Sequence, residues 1–248
     1  MGHRITGIIQ ARMGSTRLSG KVLLPLAGRS VLGWVVRAVQ VSGALDEVIV
    51  ATTTESTDDE VVAECARLGV PCYRGPVDDV LTRFIGALEN SPNVGETDAV
   101  MRFTSDCPLL DPEIIRTAVQ IFRTVPGLDY LSGGMPHTLP RGMDVEIIST
   151  DALRAVDKVA TGHHRVHVTS YAYTHPDEFR LLGLTFPPDS SKYRVTLDTD
   201  QDWAVIQAVA DAFGDRPVPL RTLTEWLERH PEVRGINADV QQKNLEQA

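Results

Sequence analysis

Residues Ile5-Thr-Gly-Ile-Ile-Gln10 run directly into Ala11-Arg-Met-Gly-Ser-Thr-Arg-Leu-Ser-Gly-Lys21. The first stretch is a β-rich apolar run, and the second is a polar loop punctuated by glycine. The loop sets Arg12, Arg17 and Lys21 immediately behind the first strand. Its glycines let backbone N–H groups turn toward an anion while the cations supply charge. It is not a Walker A loop: five residues separate Gly14 from Gly20 where that motif has four, and Val22 stands where a Mg²⁺-binding hydroxyl is required. It is not G-x-G-x-x-G either, which disfavours a dinucleotide fold. A solvated basic loop and an anion cradle both fit the residue types, and the position behind strand one favours the cradle.

Working outward, short apolar runs alternate with helical periodicity. Ser30 can cap Val31–Val41; Glu47–Thr52 reads as a buried strand; Thr57 can cap Asp58–Leu68, which Gly69 stops. Val70–Tyr73 and Ala99–Phe103 are predicted strands, Asp79–Leu88 a helix, and Pro112 opens a helix to Arg123. The β-α alternation predicts a mainly parallel sheet covered by helices on both faces. Ligands of such sheets lie at the carboxyl ends of the strands, here the loops after Gln10 and after Phe103. Between Pro126 and Asp144, Gly127, Gly133, Gly134, Pro136, Pro140 and Gly142 crowd together and predict an irregular excursion. Val145–Ile148 resumes as a strand, Asp151–Val159 and His164–Tyr173 look helical, and Arg180–Thr185 is β-like. Val195–Leu197 leads into Asp198-Thr-Asp200, with Asp200 expected to cap Gln201–Phe213. A last helix, Leu220–Arg229, precedes a tail, QQKNLEQA, expected to be frayed. With no repeat and no linker, residues 1–248 are expected to form one domain.

Of 248 residues, 42% are hydrophobic and 23% charged, which excludes a wholly disordered chain. With 24 Lys and Arg against 33 Asp and Glu, the net charge is −9, so sequence-independent nucleic-acid binding is not expected. An anionic small substrate then needs a local cationic pocket or a metal ion. No stretch approaches the ~18 apolar residues that span a bilayer, and the N-terminus lacks the features of a signal peptide. Cys65, Cys72 and Cys107 suit neither a disulfide framework nor a zinc site, and a reduced cytoplasmic compartment is expected. Cys107 reads as a loop residue without chemistry.

The opening segment resembles the Q-A-R-x-x-S-T-R-L-P-G-K motif of the CTP-dependent cytidylyltransferases that activate acidic sugars, in the branch named for spore coat polysaccharide biosynthesis. Ser19 replaces the usual proline. RGPVDDVLTRF (Arg74–Phe84), MRFTSDCPLLDP (Met101–Pro112), PRGMDVE (Pro140–Glu146) and TLDTDQDW (Thr196–Trp203) resemble later blocks of the same family, in order, over about residues 5 to 210. The resemblance implies a Rossmann-like three-layer α/β/α nucleotidyltransferase fold with an inserted region at 142–185 used for dimerisation and acceptor binding. It implies an enzyme that moves CMP from CTP to an acidic acceptor and acts as a homodimer.

Nucleotidyl transfer needs an aligned α-phosphorus and neutralised charge on the departing pyrophosphate, work that Mg²⁺ does through one or two carboxylates. Asp106 and Asp198 follow predicted strands, and the parallel-sheet reading brings both to one edge. The matching aspartates of the family bind Mg²⁺; Asp200 is a rival. By the same resemblance Arg12 and Lys21 hold the triphosphate. Arg17 either assists or braces the loop against a carboxylate. Arg83 matches an arginine that recognises cytosine, and a helix-face pair with Asp79 is its alternative. Arg102 can reach the pocket from its strand. On the acceptor side, His163-His-Arg-Val-His-Val-Thr-Ser-Tyr171 is similar to R-E-H-V-T-x-Y, retaining Arg165 and His167 but carrying Val166 where the family has Glu. Arg141, in the glycine-rich excursion, suits an acceptor carboxylate or phosphonate. Two other classes fit parts of the chain: a glycosyltransferase gripping a sugar nucleotide through Asp198-Thr-Asp200, and a non-catalytic nucleotide-binding subunit.

Overall fold

The computed structural model describes residues 3–15, 17–91 and 95–242. The tail expected to be frayed lies outside them from residue 243 onward. Strand β1 (Ile5–Gln10) is the hub of the sheet. A 3₁₀ turn (Lys21–Leu23) and a two-residue ladder of β2 (Pro25–Leu26) and β3 (Arg29–Ser30) lead into α1 (Val31–Ser42), whose N-cap Ser30 accepts from Gly33 N–H. Then come β4 (Glu47–Thr53), α2 (Asp59–Leu68), β5 (Cys72–Gly75), α3 (Val80–Glu89), β6 (Ala99–Thr104) and α4 (Pro112–Thr124). The chain continues through β7 (Tyr130–Ser132), β8 (Glu146–Ser149), α5 (Thr150–Val159), α6 (His163–Val166), α7 (Ser170–Thr174) and β9 (Leu181–Gly183). It closes with α8 (Asp200–Phe213), α9 (Leu220–Arg229) and α10 (Pro231–Arg234).

The seven-stranded sheet has the order β5-β4-β1-β6-β8-β7-β9, and only β8 runs against the rest. Period-two alternation sorts the apolar residues into two layers. Ile5, Ile9, Met101 and Phe103 pack with α1, α2, α4, α8 and α9, while Ile8 and Val100 pack with α3, α5 and α7. Both faces of the central strands are therefore buried, as a parallel sheet requires, and the three-layer expectation holds.

Several local expectations are corrected. Gly69 ends α2 at φ 67°, and Val70 N–H returns to the Cys65 carbonyl, so residues 70–71 are consumed in the turn and β5 begins at Cys72. Thr57 caps nothing; Ser56–Asp58 form a 3₁₀ turn, and the Asp58 carboxylate points inward. The helix expected over His164–Tyr173 is broken into α6 and α7. Val168 turns into the core there, and the Thr169 hydroxyl donates to Glu146 across to β8. The cap of α8 is Thr199, not Asp200, in a capping box completed by Asp202. Residues 195–197 form no ladder; a single bridge joins Arg141 to Arg194. The excursion hides a strand, β7, and residues 142–185 supply β8 and β9 to the sheet.

Candidate active site

The loop behind β1 is closed at its base by hydrogen bonds. Gly20 N–H donates to the Met13 carbonyl at 3.1 Å, and Met13 N–H donates to Asp58 Oδ1 at 2.7 Å. Gly20 sits at φ 66°, which costs a side chain strain, and this turn starts the 3₁₀ segment that carries Lys21. Asp58 is buried and also accepts from Thr52 and Thr53 at the end of β4. Burial alone would raise its carboxyl, but the N–H and hydroxyl donors outweigh burial and hold it below the usual range. Asp58 thus ties the loop to the neighbouring strand.

Lys21 reaches across the carboxyl edge of the sheet. Its Nζ lies 2.8 Å from Asp106 Oδ2, 2.9 Å from Asp198 Oδ1 and 2.7 Å from the Leu197 carbonyl. One buried ammonium therefore joins two residues 92 positions apart (198 − 106) that arrive from different elements. Asp106 follows β6, and its carbonyl accepts from Leu197 N–H at 2.8 Å, which fixes the Asp198 segment beside it. Burial would lower the Lys21 ammonium, yet Asp106 and Asp198 override this and raise it. Burial likewise would raise Asp198, while Lys21, Arg17 and Arg194 hold it below the ordinary carboxylate range.

Asp198 is held from behind. Arg194 pairs with Asp198 Oδ2 at 2.8 Å and with Asp202, which is fully buried and accepts from Asp198 N–H, Thr199 N–H and Asn237. Arg17 lies 3.0 Å from Asp198 Oδ1, which makes it a brace of the loop against a carboxylate. Asp200 is exposed on the first turn of α8, so Asp198 is the aspartate that faces Asp106. Arg12 is exposed and has no side-chain partner among the described residues. Arg83 forms no pair with Asp79; it is almost fully buried and donates to the Pro76 and Val77 carbonyls. Burial, and next the Arg12 charge, lower its guanidinium, so the two arginines share one side of the loop. The Cys107 thiol is pushed up by desolvation and the Asp106 charge, which keeps it protonated and non-nucleophilic.

The other predicted residues divide. Arg102 on β6 pairs with Glu146 at 2.9 Å and donates to Gln10 at 3.2 Å, forming a floor under the same edge. Arg165 is committed to Asp79 at 2.7 Å and Asp157 at 2.9 Å, tying α6 to the start of α3 and to α5. His167 lies at the end of α6, where its carbonyl accepts from Ser170 N–H. Arg141 is stitched by its backbone to Tyr193 and Val195, and its side chain has no partner among the described residues. Sequence reasoning passed over Asp58, Arg194, Asp202 and Glu146 as site residues. The T-x-x-D of Thr199–Asp202 is a capping-box signal that pointed to Asp202; Asp58 left none beyond its acidity.

A cationic turn behind strand one, facing two aspartates over the carboxyl edge of a mainly parallel sheet, defines a nucleotidyltransferase-type α/β domain. A family model described as cytidylyltransferase matches residues 6–197. The chain belongs to the cytidylyltransferase family. It is 33% identical to the spore coat polysaccharide biosynthesis protein SpsF of Bacillus subtilis, over 91% of this chain and 94% of that one. A solved cytidylyltransferase from Leptospira borgpetersenii superposes with a TM-score of 0.89 at 29% identity, covering 98% of this chain and 99% of that one. The fold is also that of a CMP:2-keto-3-deoxy-manno-octonic acid synthetase solved with CTP, at TM-score 0.62 and 16% identity over 84% of this chain and 99% of that one. Among the described residues, no helix is long and apolar enough to cross a membrane.

Proposed function

We propose that the protein transfers CMP from CTP to an acidic acceptor and releases pyrophosphate, using Mg²⁺ held by Asp106 and Asp198. The observation that carries this reading is the Lys21 ammonium lying 2.8 and 2.9 Å from those two carboxylates. A cation already rests between them, and two carboxylates are a donor set suited to a dication that prefers oxygen ligands. When bound, Mg²⁺ would neutralise charge on the triphosphate and on departing pyrophosphate.

Arg12 is exposed and uncommitted on the loop, so it is free to donate to phosphate oxygens alongside Lys21. Arg17 and Arg194 keep Asp198 ionised and in place. Arg83 is the group we assign to the cytosine side; almost fully buried and donating to the Pro76 and Val77 carbonyls, it would act there by holding the turn that precedes α3. Arg141 is the cation we assign to the acceptor's acidic group; Arg102, Arg165 and His167 then act on that side by holding its walls. No covalent enzyme intermediate is needed, because the acceptor oxygen attacks the α-phosphorus in line with the leaving pyrophosphate.

Asp200 is exposed on the first turn of α8 and does not converge with Asp198, which counts against a sugar-nucleotide D-x-D grip. We further propose a cytoplasmic homodimer with residues 142–185 at the contact; a monomer by light scattering refutes the dimer. The main test incubates the protein with each NTP, Mg²⁺ and a panel of sugar acids, phosphonates and phosphate esters, and measures pyrophosphate. CTP-specific release with one acceptor class is expected. No release with any pairing, from folded protein that binds nucleotide, rejects the reading.

A further inference from the structure

The segment after α10 inverts the usual order of burial. Ile236 is 41% exposed, while the next residue, Asn237, is 4% exposed. A buried amide costs free energy unless its hydrogen bonds are made, so its partners reveal its use. Asn237 Nδ2 donates to Asp202 Oδ1 at 2.8 Å and to the Arg194 carbonyl at 3.1 Å. Both partners belong to the group that stands behind Asp198. The turn around the amide is local: Ile236 N–H donates to the Val233 carbonyl, and Val240 N–H donates to the Asn237 carbonyl, each at 3.1 Å.

The distribution of donors shows what the amide adds. Arg194 Nη2 is shared between Asp198 Oδ2 at 2.8 Å and Asp202 Oδ2 at 3.1 Å. Among the described residues Arg194 is the only donor to Asp198 Oδ2, whereas Lys21 and Arg17 both lie against Oδ1. Asp202 Oδ2 also accepts from Asp198 N–H and Thr199 N–H. Its Oδ1 accepts from Arg194 Nε and from Asn237. Without the amide, one oxygen of a fully buried carboxylate keeps a single donor, Arg194 Nε. The guanidinium is then drawn onto Asp202, and its grip on Asp198 Oδ2 is the contact it gives up. Arg194 Nη1 donates to Gln242 Oε1 at 2.9 Å, so two residues of the C-terminal segment bear on this one guanidinium.

We propose that Asn237 is a positioning residue for the metal edge: by satisfying Asp202 it leaves the Arg194 guanidinium to Asp198, and so steadies the carboxylate that faces Asp106 for a divalent cation. The inference rests on the reading that Asp106 and Asp198 hold the metal ion. Asn237 touches neither substrate nor metal and acts through Asp202 and Arg194. Groups that orient a ligand from behind govern metal affinity because a carboxylate left free to rotate must be ordered each time the ion binds. An amide that only tethered the C-terminal segment would change stability and leave metal binding alone.

The test uses the full chain with Mn²⁺ as the probe, following free Mn²⁺ by electron paramagnetic resonance and measuring CTP binding separately in EDTA. Asn237→Ala is expected to weaken Mn²⁺ binding by about tenfold, the low end of the loss on removing a partner behind a metal ligand, with metal-free CTP binding within about twofold of wild type. Val233→Ala is the control: Val233 packs on the core from the same segment, so its truncation lowers the melting temperature without touching Arg194 and should leave Mn²⁺ binding unchanged. Should Asn237→Ala fail to fold, Asn237→Ser serves, since its hydroxyl is too short to span both partners and Mn²⁺ binding should again fall. Wild-type Mn²⁺ affinity in the position-237 variant overturns the proposal. So does an equal loss in V233A, or a loss of metal-free CTP binding as large as the loss of Mn²⁺. Wild type that binds CTP yet takes up no Mn²⁺, with or without nucleotide, overturns the metal reading itself, and this inference falls with it.

Discussion

The two halves of the carboxyl edge are built differently. On the nucleotide side, Lys21, Asp106, Asp198, Arg17, Arg194 and Asp202 form a continuous ionic chain seated on regular strand ends and the N-terminus of α8. On the side we assign to the acceptor, Arg141 rides an irregular loop held mainly by backbone hydrogen bonds to the 184–197 segment. The first half prearranges charge before any ligand arrives, so its charged groups compensate one another in the free protein. The second leaves its cation uncommitted and its backbone dependent on remote segments. A site that treats one substrate as constant and the other as variable along a family would be divided in this way.

The largest effect should come from the ionic half. Asp106→Asn is expected to lower kcat by about 10²–10³-fold or more, since it removes charge aimed at the transferring group. Its circular dichroism should match wild type. Near-normal pyrophosphate release would remove Asp106 from the chemistry. Next, Lys21→Met leaves Asp106 and Asp198 facing each other without their shared cation. Breaking a buried pair costs about 3–5 kcal/mol, and the part-exposed Asp106 reduces this to about 1–3 kcal/mol. Urea unfolding should show the loss, and millimolar Mg²⁺ should restore more stability to K21M than it adds to wild type.

In the acceptor half, Arg141→Ala should raise the acceptor KM by about tenfold while leaving the CTP KM within about twofold. An equal rise in both would move Arg141 to the nucleotide. The pH dependence of stability reports on the ionic half. The carboxyl of Asp198 is lowered on folding, so its stabilisation is complete above the unfolded value of about 3.9 and is lost as pH falls through the lower native value. Lys21 is raised, so its contribution is present below its unfolded value of about 10.4 and is lost only as pH climbs through the native one. Asp198→Asn should flatten the dependence of the unfolding midpoint on pH below about pH 4. The smallest effect is expected from Arg165→Met. It should cost about 1 kcal/mol by thermal melting, because its carboxylate partners are each a third exposed, with little change in CTP binding.

Much of this was legible from residues alone, and the boundary follows a physical line. Ile5–Gln10 and its cationic loop were readable because strand periodicity and a glycine-punctuated turn are local properties, encoded within about a dozen residues. The same holds for Ser30 as a helix cap and for Pro112 opening α4. Asp106 was found as a residue at the end of a strand; Asp198 was found too, but residues 195–197 form no ladder, and the Leu197 N–H bond to the Asp106 carbonyl is what holds it at that edge. The fate of each charge was not local. Arg83 facing carbonyls rather than Asp79, Arg165 holding Asp79, Arg17 bracing Asp198 and Asp58 gripping Met13 N–H were all decided between elements far apart in the chain. A charged side chain on a short motif has several partners within reach, and only packing selects which one can desolvate it without leaving an unpaired charge. The excursion is the extreme case. Its glycines and prolines announced irregularity, but the meeting of His137 with Asp144 depends on Gly142 lying against Thr196 and on segments that approach only after the sheet has closed. Sequence alone thus determined the architecture and the composition of the edge; tertiary structure alone decided the pairing, because close approach in space is a property of the packed chain and not of any segment of it.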